Sequence, residues 1–458
     1  MRKWLIGPIV GAGLIGATLG ISAYAVTTGQ SDKRAETFSH LELFAEILAR
    51  VQSDYVTEID ENKAIEASID GMLSSLDPHS SYMNADEFRD MQVQTSGEYG
   101  GLGIEVTGQD GFVKVVSPMD GTPAFKAGVK SGDYLTAIDG QSIVGLPLND
   151  AVKQMRGPVG SPISITVVRD GVDPFDISLK REIIRPENVK DHVEGDIGYV
   201  RISSFNERTS EGLDAAIADI KKQSKGPLKG LVVDLRDNPG GLLEQAIEVS
   251  SRFLSGGEVV STRGRRPEDV ERYLARRGDR FPNLPVVVLT NGGSASAAEI
   301  VAGALQDRGR AKIVGTTTFG KGSVQTVIPL GPNKGAMRLT TSRYYTPSGK
   351  SIQSAGIEPD FEVADKRLTD DEIKDLQKRV ARYTEASLPN ALQNEQGATR
   401  KPPHVPADMP PASYPAPAQG QLGVAGKDYQ LDEALKIIRE GKAGISKDMA
   451  AAAAPSKT

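Results

Sequence analysis

Two residues of the chain could form a nucleophile and its base: Ser296 and Lys321, which lie 25 residues apart. Ser296 stands in the Gly-rich stretch Asn291–Glu299, where a predicted strand leads into a predicted helix. A hydroxyl at a helix N-terminus lies among backbone N–H groups without an intrahelical acceptor, and such groups stabilise a developing oxyanion. The spacing of Ser296 and Glu299 also fits a plain capping box, in which the serine only caps the helix.

Lys321 lies in another glycine-rich turn, between Gly320 and Gly322, after a further predicted strand. A lysine acts as a base only when neutral, so its pKa must fall from about 10.4 toward about 7, roughly 4–5 kcal/mol of bias against the ammonium. Burial beside the flanking apolar residues would supply this desolvation. Gln325 can accept a hydrogen bond from the amine without adding charge. A solvated loop lysine is the alternative interpretation.

Gly240 and Gly241 form a third turn that could assist such a reaction, since it also leads from a predicted strand into a predicted helix. Glycines allow backbone N–H groups to approach a substrate carbonyl closely. The alternative interpretation is that these residues form a plain Pro-Gly turn with no role in catalysis.

Two other chemistries have less support in the residues. His79, after Asp77 and Pro78, could be the base if the fold brings it to Ser296, although such a segment is more often a turn with a satisfied imidazole. The stretch Gly315–Gly322 nearly matches a phosphate-binding loop. Its last residue lacks the magnesium-binding hydroxyl, and the β-branched residues that follow it make a poor helix, so the nucleotide interpretation fails.

The turns belong to a stretch from Ile197 to Phe319 in which predicted strands and helices alternate, as in α/β domains. Because ligands bind at the carboxyl ends of such strands, we expect the three turns on one rim of the sheet. The predicted strands cover 198–203, 231–235, 285–290 and 311–315. The predicted helices cover 210–223, 242–253 and 296–306.

The segment from Gly97 to about Arg181 has apolar residues with a period of two, which indicates a small β domain. Two Asp-Gly pairs, at 139–140 and 170–171, predict hairpin turns. The predicted strands cover 112–116, 134–138, 163–167 and 175–179, with a helix over 148–155.

The two ends of the chain have helical patterns. Residues 36–92 have apolar residues at three- and four-residue steps. After residue 363, a charged helix over about 369–383 and a last helix over 431–439 flank a Pro-rich stretch, 387–424, which predicts a disordered linker. Helical ends of this kind could serve as dimerisation arms, so we expect a homo-oligomer, a dimer or higher.

The N-terminus has the pattern of an export signal. Arg2 and Lys3 precede an apolar run, Trp4–Val26, with a small-x-small site at Ala23–Ala25. This order predicts a signal peptide over 1–25, cleaved after Ala25. The run over 4–26 is also long enough to stay as a membrane anchor, which would be the chain's one membrane contact. Either way we expect an exported protein, in a bacterial periplasm.

Composition excludes several classes of function. The 458 residues include 54 Lys and Arg and 60 Asp and Glu, a net charge of −6, which argues against a nucleic-acid binder. The absence of cysteine excludes a disulfide scaffold, an iron–sulfur cluster and a thiol nucleophile. Only four histidines occur, far apart, so a histidine-rich metal site is not expected. No metal or organic cofactor is implied.

The stretch Asn291–Ile300 resembles the nucleophile segment of the carboxy-terminal processing peptidases, or tail-specific proteases, which are Ser/Lys endopeptidases. Thr318–Gln325 is similar to their base segment, and Leu76–Met83 to a structural segment before their PDZ domain. The likeness extends from about residue 38 to 362. Ala298 stands where the family often has serine, a difference that should leave the chemistry unchanged.

This resemblance implies roles for individual residues. It implies that Ser296 is the nucleophile, that Lys321 is the general base and that Gln325 supports this base. It implies that the backbone N–H groups of Ala297 and of Gly240 or Gly241 donate to the oxyanion. In the PDZ domain, the carboxylate-binding loop would be Gly101, Leu102, Gly103 and Ile104. Related enzymes suggest that Arg156 couples peptide occupancy to catalysis, although a charged helix end is an equal alternative.

The expected architecture is an α/β protease core, ClpP/crotonase-like, with an inserted PDZ domain and flanking helical segments. The boundaries are 36–96 for the N-terminal helices, 97–182 for the PDZ domain, 183–362 for the core and 363–458 for the C-terminal region. The PDZ domain would bind apolar C-termini of protein substrates by strand addition, and an adaptor or activator protein could assist. The expected function is a serine endopeptidase cleaving exported proteins near or upstream of their C-termini. The alternative is a periplasmic PDZ scaffold whose hydrolase core is inert or conditionally activated.

Overall fold

The computed structural model describes residues 35–276, 278–374, 384–402, 404–415 and 422–443. The predicted signal peptide or anchor, 1–25 or 4–26, lies outside these ranges. The chain divides into two compact units, between Gly71 and Met72. Helix α1, residues 35–54, and most of helix α2, Glu61–Ser74, belong to the first unit. Among the described helices, none has the length and apolar character to cross a bilayer.

After the last residues of α2, the second unit continues with a short strand, β1 (Ser81–Met83), and helix α3 (Ala85–Ser96). The side chain of Asn84 caps α3 by accepting from the backbone N–H groups of Asp86 and Glu87. Gly97 ends the helix with φ 72°, a left-handed conformation that favours glycine. The next strand, β2 (Tyr99–Gly101), pairs with β9 (Glu182–Ile184), so the two ends of the β domain meet in one ribbon.

The predicted β domain is confirmed. Its antiparallel sheet has the order β3-β4-β5-β7-β8, with β6 paired to β5. Asp139 and Gly140 have positive φ between β5 and β6, as a tight hairpin turn requires. The strands are Ile104–Gln109, Phe112–Pro118, Tyr134–Ile138, Gln141–Ser142, Pro162–Arg169 and Val172–Lys180 for β3 to β8. The helices are α4 (Pro123–Lys126) and α5 (Leu148–Met155).

The predicted α/β alternation is also confirmed. A six-stranded sheet has the order β10-β11-β12-β15-β16-β19, parallel except for β10 at its edge. Its strands are Val189–Glu194, Ile197–Ile202, Gly230–Asp234, Val286–Thr290, Lys312–Gly315 and Phe361–Glu362. The helices between them are α6 (Thr209–Gln223), α7 (Leu243–Ser251) and α8 (Ala297–Asp307).

Alternate residues of the buried strands pack on opposite faces of this sheet. Leu231 and Val233 belong to the core that α6, α7 and α8 cover. Val232, between them, packs with residues of a last helix, α10 (Tyr429–Arg439). The strands therefore read as continuous apolar runs because helices cover both faces.

A second sheet, of five strands, lies outside the elements that the sequence predicted. It has the order β1-β18-β13-β14, and β17 also pairs with β18. The added strands are Glu258–Arg263, Val270–Leu274, Ser323–Pro329 and Ala336–Tyr345 for β13, β14, β17 and β18. Strand β17 begins two residues after Lys321, so this sheet fixes the chain on the far side of the candidate base.

The prediction of a disordered linker over 387–424 is wrong for residues 387–402, and the described stretch begins at residue 384, before that linker. A short 3-10 helix, Glu385–Ser387, begins this stretch, and Glu385 is fully buried. Arg400 donates to the backbone carbonyls of Thr317 and Thr318. Of the predicted charged helix, the structure describes residues 370–374 as helical (α9), and the rest lies outside the described ranges. The predicted last helix is confirmed as α10.

Candidate active site

The three glycine-rich turns meet at one rim of the parallel sheet, as the sequence predicted. Ala295 N–H donates to the Asn238 carbonyl at 2.9 Å, and Phe319 N–H donates to the Ser294 carbonyl at 3.0 Å. The buried Ser294 hydroxyl donates to the Leu235 carbonyl at 2.8 Å. Backbone hydrogen bonds therefore hold the nucleophile segment against both neighbouring turns.

Ser296 occupies a strained position directly before α8. Its backbone has φ 53° and ψ −114°, a conformation rare for a residue with a side chain. Such strain clusters at active sites, where it is found on sharp strand-to-helix turns that expose a serine. A Cβ on Gly240 would lie 2.8 Å from the Ser296 Cβ and 2.9 Å from the Ala297 nitrogen. Position 240 must therefore be glycine for the two turns to approach so closely.

The backbone donors beside Ser296 differ in what they bind. The Gly240 N–H donates to the Asn238 side-chain oxygen at 2.8 Å. The N–H groups of Ala297 and Gly241 have no acceptor within the described residues. Ala297 is the first residue of α8, where an N–H has no intrahelical acceptor and lies at the positive end of the helix dipole. These two groups are therefore the candidates to donate to a substrate oxygen.

Glu299 joins the nucleophile segment to the base segment. Its fully buried carboxylate accepts from the Ser296 N–H at 2.8 Å and from the Lys321 N–H at 2.9 Å, both on Oε2. Its Oε1 accepts from the Gly320 N–H at 2.7 Å and from the Thr318 hydroxyl. Burial raises the pKa of Glu299 to about 7, although these four donors oppose the shift. The backbones of residues 296 and 321 thus converge on one oxygen.

Lys321 is partly buried, and desolvation lowers the pKa of its ammonium. The positive charge of Arg338 lowers this pKa further, whereas the charges of Glu385, Glu299 and Asp77 oppose the change. Within the described part of the chain, its side chain makes no hydrogen bond or ion pair, including none with Ser296. The environment therefore shifts Lys321 toward the neutral amine that a base requires.

Gln325 lies on β17, four residues after Lys321. Its Nε2 donates to the hydroxyls of Ser323 at 3.0 Å and Thr340 at 3.1 Å. Thr340 in turn donates to the Asp77 carboxylate at 3.0 Å. No hydrogen bond joins Gln325 to Lys321 among the described residues, so the amide is anchored from its nitrogen side.

His79 lies among the charged groups around Lys321. Its Nε2 is 2.8 Å from the Glu385 carboxylate, and its backbone N–H donates to Asp77 at 2.8 Å. Within the described residues it makes no hydrogen bond to Ser296. The segment 77–80 is thus a hydrogen-bonded turn beside the candidate site, and its imidazole has a carboxylate partner.

A buried ion network supports the Gly240 turn from below. The Arg236 guanidinium bonds both oxygens of Asp234, at 2.9 and 2.6 Å, and both oxygens of Asp428, at 2.8 and 2.6 Å. Asp428 also caps α10, accepting from the Leu431 N–H. The Arg236 guanidinium therefore neutralises the buried carboxylate of Asp234 at the end of β12. Within the described ranges, no cluster of three or more potential metal ligands occurs.

The proposed peptide-binding loop lines a narrow groove of about 30 Å³ between β3 and α5. Gly101, Leu102, Gly103 and Ile104 lie on one side, with Val152 and Met155 opposite. Arg156, at the end of α5, stacks on the Tyr99 ring, 4.4 Å from its centre. Tyr99 belongs to the β2–β9 ribbon, so Arg156 contacts the connection between the β domain and the rest of the second unit.

Sequence reasoning missed part of this arrangement. It recognised Glu299 as a capping residue, and this half of the capping box is present, but not its bonds to the base segment. The spacing of Ser296 and Glu299 was the available signal. Arg400 was missed because it lies in the predicted linker, 387–424. Glu385 was missed because it lies between that linker and the predicted charged helix, where the sequence shows no pattern.

Comparison with known proteins gives three family matches. The chain matches Peptidase family S41 over residues 196–363, a PDZ domain over 90–168 and the Activating protease CtpB N-terminal domain over 15–87. A Carboxy-terminal-processing protease of Bartonella bacilliformis is 57% identical over 353 residues, 76% of this chain and 80% of that protein. The carboxy-terminal processing protease CtpA of Bacillus subtilis is 37% identical over 312 residues, 68% of this chain and 66% of that protein.

Among solved structures, the photosystem II D1 C-terminal processing protease aligns at a TM-score of 0.42 with 28% identity. The alignment covers 76% of this chain and 98% of that one.

We predict that Glu299→Gln loosens the contact between the two segments. The amide of glutamine keeps only one oxygen that can accept hydrogen bonds. Its NH₂ group replaces the other oxygen and faces two donors that then have no acceptor, so bonds to a buried charged group are lost. We expect the free energy of unfolding to fall by about 3 kcal/mol in urea denaturation. The control Glu440→Gln, at an exposed ion pair, should change stability by less than about 0.5 kcal/mol. Equal stability of both variants would contradict the joining role of Glu299.

Proposed function

Because the chain belongs to peptidase family S41, the carboxy-terminal-processing proteases, we propose that Ser296 is its nucleophile and Lys321 its general base. The chain is a serine-type peptidase that acts in C-terminal processing and carries a PDZ domain. The observation that carries the residue assignment is the Glu299 carboxylate, which accepts from the backbone of both residues.

The reaction follows from the groups at the rim. Neutral Lys321 takes the Ser296 proton as the hydroxyl oxygen attacks the scissile carbonyl. The N–H groups of Ala297 and Gly241 donate to the resulting oxyanion, and both are without an acceptor among the described residues. The Lys321 ammonium then gives its proton to the leaving amine. Water hydrolyses the acyl-enzyme by the same proton path in reverse.

Two residues have supporting roles in this proposal. Gln325 would accept a hydrogen bond from the Lys321 amine with its carbonyl oxygen, because its Nε2 already donates to Ser323 and Thr340. Gly240 acts through its lack of a side chain, since its N–H is already bonded to Asn238. Gly241 is therefore favoured over Gly240 as the second oxyanion donor.

The PDZ domain would bind the apolar C-terminus of a protein substrate along β3. Ile104 and Val106 face Val152 and Met155 across the groove, which suits an apolar last residue. Arg156 would couple peptide binding in this groove to the core through its contact with Tyr99. A peptide that widened the groove would move both residues.

The expected domain boundaries, the ClpP/crotonase-like class of the core, the periplasmic location and an adaptor are also part of this proposal. The parallel sheet covered by helices on both faces supports the class of the core. The apolar N-terminal run supports export. Exposed apolar residues of α1, including Leu41 and Phe44, support an oligomer, which light scattering on the full chain would measure.

We predict that Ser296→Ala and Lys321→Ala each abolish cleavage of an unfolded test protein. Because the two residues act as one unit, each loss should reach roughly 1,000-fold or more, and the double variant should be no worse. Exposed Ser255→Ala and Lys350→Ala are the controls, and both should cleave at the rate of the unchanged chain. Fragments that persist undiminished in both site variants would refute the dyad.

We also predict that binding requires a free apolar C-terminus. Fluorescence anisotropy on the Ser296→Ala chain would compare a peptide ending in a free apolar residue with its C-terminal amide. Loss of charge-assisted hydrogen bonds should weaken binding about tenfold or more. Equal affinity for the two peptides would mean that the Gly101–Ile104 loop does not bind a carboxylate.

A further inference from the structure

Glu385 lies in the C-terminal region, beyond the 196–363 match, yet it contacts the segment of the candidate base. Its backbone N–H donates to the Phe319 carbonyl at 3.2 Å, two residues before Lys321. Its side chain is fully buried and accepts from the Gln353 Nε2 at 3.0 Å. The His79 ring nitrogen is 2.8 Å from its other oxygen.

Gln353 extends this contact to the other side of Lys321. Its Oε1 accepts from the Gly322 N–H at 3.0 Å, while its Nε2 donates to Glu385. The side chain of Gln353 is itself fully buried, so the amide has one orientation that satisfies both bonds. Glu385 therefore holds the chain before Lys321 by its backbone and the chain after it through Gln353.

We propose that Glu385 is a positioning residue for the Lys321 base, holding the loop on both sides of the lysine and adding a negative charge beside it. This inference rests on the proposed function, because it assumes that Lys321 is the base. The C-terminal segment 384–402 is then a part of the active site, contributed by a region that the family match does not include.

The charge of Glu385 acts within a set of groups from several elements. Arg338 on β18 disfavours the ammonium of Lys321, while Glu299 on α8, Asp77 and Glu385 favour it. His79 is the partner of Glu385, and its charge would weaken the effect of the carboxylate when the imidazole is protonated. When the Glu385 charge is removed, the effect of Arg338 on the pKa of Lys321 is less opposed. This pKa should therefore fall, and the ammonium should lose its proton more readily.

The test is Glu385→Gln in the full chain, with kcat/KM measured against pH. The amide oxygen can still accept one bond, so the loop should keep its place while the charge is lost. We expect the acid limb of kcat/KM to move to lower pH by roughly one unit, because Lys321 stays neutral at lower pH. Glu385→Ala also removes the bond to Gln353, and kcat should fall by roughly 100-fold at little change in KM.

Glu395→Gln is the matched control. Glu395 lies on the same segment and pairs with Arg343 at 3.0 Å. Its charge is not among the leading charges that shift the pKa of Lys321, so Glu395→Gln should leave the acid limb in place. An unchanged acid limb in Glu385→Gln would overturn the inference, even if the variant were less stable. Activity retained in Ser296→Ala would instead overturn the proposed function. Loss of activity there, with Glu385→Gln and Glu395→Gln behaving alike, would overturn this inference alone.

Discussion

The arrangement of the site depends on one buried carboxylate. Glu299 accepts hydrogen bonds from the backbone N–H groups of Ser296 and Lys321 on a single oxygen, and its other oxygen holds Thr318 and Gly320. Bonds to a buried charged acceptor are strong, so two loops that follow different strands keep one separation. The same closeness brings Lys321 into a poorly solvated environment that lowers its pKa. Glu299 thus fixes the position of the candidate base, whereas burial of the Lys321 side chain lowers its pKa against the charge of Glu299.

The C-terminal region supports this arrangement from outside. Arg400 donates to the carbonyls of Thr317 and Thr318, and Glu385 holds the loop around Lys321. Asp428, which caps α10, pairs with Arg236 directly before the Gly240 turn. An interior charge that loses its partner destabilises the protein strongly, so each of these contacts holds the C-terminal region in position. Residues after the core therefore act on the turns that form the site.

The sequence predicted the strands and helices of the core because their apolar runs and Gly-rich turns are local patterns. It also predicted where the three turns meet, since the carboxyl ends of parallel strands share one rim. It did not predict the contacts of Glu385, whose partner His79 lies 306 residues away along the chain. It did not predict β13 and β14, which pair at the edge of the second sheet. Contacts of this kind depend on tertiary packing, which periodicity and composition do not record.

The most direct test of the account is the pKa of the Lys321 side chain in the Ser296→Ala chain. NMR titration of ¹³C,¹⁵N-lysine-labelled protein, with the resonance assigned through Lys321→Arg, would measure it. The account predicts a pKa clearly below the ordinary value of about 10.4, apart from the exposed lysines. A Lys321 resonance that titrates together with the exposed lysines would contradict it, because a permanently charged amine cannot accept the serine proton.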